Sequence, residues 1–136
     1  MGIVTGIGVG VLLGYLLRYQ FPDGTEKLPS LVLFFLPVQQ LVRAGIAEEP
    51  FFRGFLWGTL RRAGWKNIWI LLFQTILFMI GHLFDFPSYP ISFWIVVPLG
   101  GLVLGLLAWR SHSIATSMVG HGFMNAVGQM VAFYRL

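Results

Sequence analysis

Three stretches of this chain, residues 67–84, 86–109 and 111–134, contain no Arg, Lys, Asp or Glu. At about 1.5 Å of rise per helical residue, each is long enough, or nearly so, to cross the roughly 30 Å of hydrocarbon in a bilayer. A soluble domain of 136 residues needs a mostly charged exterior, which nine basic and five acidic side chains cannot supply. The chain therefore reads as an integral membrane protein of all-α class, a polytopic transmembrane bundle of about five helices. Its net charge of +4 is too thinly spread for a nucleic-acid surface, which would need a larger cluster than Arg61, Arg62 and Lys66. There is no Cys, which excludes disulfides, thiolate nucleophiles and Cys-based metal sites.

A single domain is expected over 1–136, since no repeat, low-complexity tract or soluble linker interrupts it. The first 17 residues are apolar but lack a basic segment before them and a small-residue cleavage site after them, so they read as a retained helix over 2–20. Gly2, Gly6, Gly10 and Gly14 recur every four residues along it, a stripe that lets another helix approach closely and is a candidate homodimer contact. Residues 21–29 form a turn-rich polar loop. From Ser30 to Arg62 no loop is visible, yet the stretch is too long for one straight crossing. It predicts a long tilted helix, or two pieces meeting between Gly45 and Pro50, because Pro50 cannot bond back to Ile46. Further helices are expected at 67–84, 91–109 and 113–133. Trp65, Trp69, Trp94, Trp109, Tyr19 and Tyr134 fall near helix ends, where an aromatic belt belongs. If the loop holding Arg61, Arg62 and Lys66 is cytoplasmic, Arg110 falls on the same side and the N-terminus is inside.

Against this apolar background the polar residues stand out. Glu48, Glu49 and Arg53 lie in one segment, His82 at the end of another, and His121 and Asn125 a turn apart in the last. Ionisable groups at membrane depth are costly and mark function by default. Helical spacing puts Glu49 and Arg53 on one face and turns Glu48 about 100° away. Glu49 is then the partner that makes Arg53 tolerable inside the bundle, and Glu48 is left to face a cavity as a general base. Each has a plainer reading: Glu48 snorkelling or paired elsewhere, His82 at the interface, His121 and Asn125 bonded between helices. Ser117, His121, Asn125 and Gln129 give the last helix a polar face. His112 sits in a loop and is assigned no role. Phe51, Phe52, Phe55, Trp57 and Phe123 either line an apolar substrate groove or face lipid and core. Counted from the basic loops, Glu48, His82 and His121 lie at depths that permit one shared site.

Taken together, Glu-Glu-x-x-x-Arg at 48–53, Phe-x-x-x-His at 78–82 and His-x-x-x-Asn at 121–125 resemble the signature of the CPBP family of intramembrane proteases. That family includes enzymes that trim prenylated CAAX proteins and bacterial members linked to bacteriocin processing or self-immunity. The resemblance spans about 30–133, which would be the protease core. It implies a glutamate-dependent endopeptidase without a cofactor, in a bacterial or archaeal cell membrane, acting on a protein or peptide substrate that is membrane-associated or prenylated. Glu48 would activate the hydrolytic water with help from His82, His121 and Asn125 would hold the oxyanion, and Glu49 and Arg53 would support the site. Glu48, His82 and His121 as zinc ligands are the competing metalloprotease arrangement. A non-catalytic binding or immunity protein, and a small transporter or proton-coupled channel, are the readings from other classes. Many family members carry additional helices, so what closes the cavity of so short a chain is left open.

Overall fold

The computed structural model describes residues 1–21 and 29–134, with the side chains of 133 and 134 excepted, so most of the expected polar loop at 21–29 lies outside the described residues. Five helical segments follow one another: α1 (Gly2–Gln20), α2 (Ser30–Arg62), α3 (Asn67–Gly81), α4 (Ser92–Ser111) and α5 (Ile114–Tyr134). There is no strand among the described residues. Three helices, α1, α2 and α4, are long and apolar enough to cross a membrane by length and composition. The α3 helix is equally apolar but has only 15 residues, and α5, at 21 residues, carries the polar face.

The α2 helix runs unbroken for 33 residues, so of the two arrangements the sequence allowed, the long helix is the one that forms. Pro50 keeps helical torsions, with φ −59° and ψ −35°. Instead of a break, the helix widens into π-helical turns at Leu41–Ile46 and Pro50–Leu56. A widened turn gives up the regular i to i−4 bond that proline cannot make, so the ring is accommodated within a continuous helix. Glu48 and Glu49 lie on the three-residue α-helical piece between the two widened turns.

The expected helix at 67–84 ends early. His82 leaves the helical region at φ −103° and ψ 13°, its N–H bonds to the Met79 carbonyl at 2.9 Å, and a 3-10 turn follows at Leu83–Asp85. Tightening of this kind pairs the last carbonyls of a helix. It also leaves His82 at the helix end.

The α1 helix packs along α5 in parallel, through the glycine stripe. A Cβ on Gly6 would lie 2.5 Å from the Gly120 carbonyl oxygen, and one on Gly10 or Gly14 2.7 Å from that of Met124 or Gly128. The stripe read as a homodimer contact thus faces α5 of the same chain, and only small residues permit so close an approach of backbones. At the far end of α1, Gln20 Oε1 accepts from the Ile91 and Ser92 N–H groups at 2.7 and 3.2 Å, tying α1 to the start of α4. Leu13, Leu104, Leu107 and Met124 form one core cluster between α1, α4 and α5. Trp57, Ile70 and Leu71 form another between α2 and α3. Phe34, Phe35, Phe51, Phe55, Trp69 and Trp94 face outward, as side chains in contact with lipid should.

Candidate active site

Glu49 has no exposed surface, and three donors from two helices surround it. Arg53 Nη1, one turn on, bonds its Oε1 at 2.9 Å. His121 Nδ1 of α5 bonds the same oxygen at 2.8 Å, and Ser117 Oγ donates to Oε2. Arg53 also donates from Nη2 to the Gly101 carbonyl of α4 at 3.0 Å and lies over the Phe78 ring of α3, 5.2 Å from its centroid. One guanidinium therefore joins three helices, which offsets the cost of burying it. The i,i+4 pair expected from the sequence is present, and both of its members face inward.

Glu48 points elsewhere. It lines a cavity of about 270 Å³ together with Phe78, His82, His121 and Asn125. Leu13 and Leu17 of α1 form part of the wall of the same cavity. Its other end reaches Asp85, Ser92 and Gln129. Glu48 Oε2 is buried and has no hydrogen-bond partner among the described residues. All four residues named as candidates for the chemistry thus border one space, while Glu49 and Arg53 stand behind it. None of Phe51, Phe52, Phe55, Trp57 and Phe123 is in its lining, so they form no groove at this cavity. Phe52 packs edge-on against Phe78, 5.3 Å between centroids, and Trp57 is in the core.

The imidazoles are held in a common sense. His82 Nδ1 lies 2.8 Å from the Phe78 carbonyl oxygen, and His121 Nδ1 lies on the Glu49 carboxylate. A carbonyl and an ionised carboxylate can only accept, so each Nδ1 carries the proton. Each Nε2 is thereby the nitrogen left for further chemistry. Phe78 spaces the two rings, at 4.6 Å from His82 and 5.9 Å from His121. Among the described residues no three His, Asp or Glu side chains converge as a metal site would require.

Three contributors were not singled out from the sequence. Ser117 was read only as part of a polar face, although its spacing of four before His121 places it on the same stripe and is a usable signal. Gln40, 7% exposed, accepts from Asn125 Nδ2 at 3.4 Å, and nothing in its apolar neighbourhood announces it. The Gly101 carbonyl has no sequence signal at all.

A helical bundle that sets a carboxylate, two oriented imidazoles and an amide around one cavity holds the kinds of group that hydrolysis within a membrane requires. Residues 29–127 match the model of the Rce1-like family, described as type II CAAX prenyl endopeptidase Rce1-like. The chain belongs to that family and is an integral membrane protein of the CAAX-type intramembrane protease group. Neither a comparison with curated proteins nor one with solved structures gave a match. The family match begins after α1, so the helix that walls the cavity with Leu13 and Leu17 lies outside the matched region.

Proposed function

We propose that the chain is a glutamate-dependent endopeptidase that cuts a peptide bond in a membrane-associated or prenylated protein or peptide. The observation that carries this reading is the division of labour between adjacent carboxylates. Glu49 is fully engaged by Arg53, His121 and Ser117, whereas Glu48 borders the cavity with an unpaired oxygen.

In the proposed reaction, Glu48 takes a proton from water as the water oxygen bonds to the scissile carbonyl carbon. The π electron pair moves onto the carbonyl oxygen. Asn125 Nδ2 donates to that oxyanion, and so does His121 Nε2 when the ring holds both protons. His82 Nε2 accepts from the water and aims it. Collapse of the intermediate breaks the C–N bond, the leaving amine takes the proton from Glu48, and the products are a carboxylic acid and an amine. The four residues named need no covalent intermediate and no cofactor for this sequence of steps.

The test is cleavage of a peptide library, half of it prenylated near the C-terminus, by the protein in lipid nanodiscs beside its Glu48→Gln variant. Turnover by the unmodified protein alone is the expected result, and the prenylated share of the cleaved peptides identifies the substrate class. Absence of turnover in protein shown to be folded would favour a non-catalytic peptide-binding or immunity role.

A further inference from the structure

One carboxylate at the cavity of Glu48 takes no part in the proposed chemistry. Asp85 borders the end of that cavity beyond His82, together with Ser92 and Gln129. Its N–H bonds to the His82 carbonyl at 3.0 Å, and the chain between them forms the 3-10 turn at Leu83–Asp85. Side chains three apart in such a turn eclipse one another, so Asp85 stands over His82 on the face turned to the cavity. Exposure along the turn agrees: Leu83, Phe84 and Phe86 face outward, whereas His82 and Asp85 are half-buried.

Ser92 and Gln129 extend the same rim. Gln129 lies one turn beyond Asn125 on the polar stripe of α5. Ser92 lies one turn before Val96 in the widened first turn of α4, where Val96 and Val97 also border the cavity and Trp94 and Ile95 face outward. A carboxylate, a hydroxyl and an amide oxygen thus reach one end of the cavity from three elements. None of these three side chains is bonded to another described residue. The described residues bordering the cavity include two carboxylates and no Lys or Arg. A half-buried carboxylate is held at a cost unless a cation joins it.

We infer that this end of the cavity is a subsite for a primary ammonium group of the substrate, from a lysine side chain or an N-terminus, with Asp85 setting the preference. An ammonium carries three N–H donors and no acceptor, which matches three acceptors on three elements. Three residues of 3-10 turn at about 2.0 Å each, or four of α-helix at about 1.5 Å, put the subsite about 6 Å beyond His82 and Asn125. That is the span of roughly two extended residues, so the cation belongs within about two residues of the bond that is cut. Leu13, Leu17 and Val97 offer an apolar wall for a methylene stem. The inference rests on the reading of this cavity as the place where a peptide is cut.

The test measures peptide binding to the chain carrying Glu48→Gln, so that affinity is read without turnover, in maltoside micelles, which are uncharged. The probes are short Leu- and Ala-rich peptides, acetylated and amidated at their ends, with lysine, Nε-acetyl-lysine or norleucine at one position. The protein has a net charge of +4, so general electrostatics disfavours the lysine peptide and a preference for it reports a local acceptor. The lysine peptide should bind about tenfold to a hundredfold more tightly than either neutral one, the size of a charge-assisted bond. Adding Asp85→Asn should bring the three within about twofold, and Ser92→Ala should narrow the gap in the same direction. Neither change removes a bond among the described residues, because the Asp85 carbonyl still accepts from Ser88 and Tyr89 and the Ser92 N–H still donates to Gln20. A norleucine peptide with a free N-terminus identifies the source: a gain equal to that of lysine means that an N-terminal ammonium serves as well, no gain that the side chain is required. Equal affinities for lysine and norleucine, no binding of either, or a lysine preference that survives Asp85→Asn would overturn the subsite. Cleavage of the same peptides by the unmodified protein is followed in parallel. A lysine preference without cleavage would sink the protease reading and leave the subsite standing, and cleavage without a lysine preference would do the reverse.

Discussion

Glu49 and Glu48 are neighbours in sequence, yet replacement of each should read out in a different quantity. Glu49→Gln leaves the Arg53 guanidinium buried without its counter-charge, and breaking a buried pair in this way costs on the order of 3–5 kcal/mol. The expected result is a large fall in the unfolding midpoint, partly recovered when Arg53→Met is added, because the second change removes the stranded charge. A double-mutant cycle on melting curves measures that coupling. Ser117→Ala removes one donor to a charged acceptor and should cost about 1–3 kcal/mol. Glu48→Gln disturbs no hydrogen bond among the described residues, since its buried oxygen makes none. The fold should survive while turnover drops by about 10²–10⁴ or more, the usual share of a general base. Asn125→Ala, with an oxyanion donor gone, should lower kcat by about 10²–10³ with little change in KM. A loss confined to KM would assign Asn125 to substrate binding instead.

At the level of the helix, α1 does the work of a wall, and its glycines make the prediction sharp. A methyl at Gly10 would meet the Met124 carbonyl oxygen at 2.7 Å, whereas one at Gly8 meets nothing within 4 Å. Gly10→Ala should push α1 off α5, lower the melting midpoint and cut turnover by displacing the part of the cavity wall that Leu13 and Leu17 form. Gly8→Ala should be neutral, and melting curves and rates of the two variants side by side check the pair. The four-residue glycine spacing was legible in the sequence, but its partner was not, because a stripe of small residues says how close another helix can come and not which helix comes. The charge-free runs made the helices readable for the same local reason, and the i,i+4 spacing made the Glu49 and Arg53 pair readable. What local spacing cannot hold is the widened turn that absorbs Pro50, the early stop of α3 before His82, and Gln40 beneath Asn125. The contact between Gln40 and Asn125 joins residues 85 positions apart, which no local pattern encodes.

For the whole molecule, the placement of charge and cavity sets a question about sides of the membrane. The chain crosses so that Arg61, Arg62, Lys66 and Arg110 share one end, with the start of α1 beside the start of α5. The opposite end holds Gln20, tied to Ile91 and Ser92, and it is there that Asp85, Ser92 and Gln129 border the cavity of Glu48. Basic residues in short loops are retained on the cytoplasmic side. The end with Arg61 should therefore be cytoplasmic, and the cavity of Glu48 should lie toward the other face. Because the chain has no Cys, single replacements give a clean test: Ala63→Cys and Ser88→Cys both place a thiol at an exposed position, one at each end. In sealed vesicles of known orientation, a membrane-impermeant maleimide should label Cys at 63 only from the cytoplasmic side and Cys at 88 only from the opposite side. That pattern points to a substrate that meets the cavity from outside the cytoplasm. The reverse pattern would place the cavity toward the cytoplasm, within reach of proteins prenylated there, and would mean that four basic residues at one end do not set the orientation of this bundle.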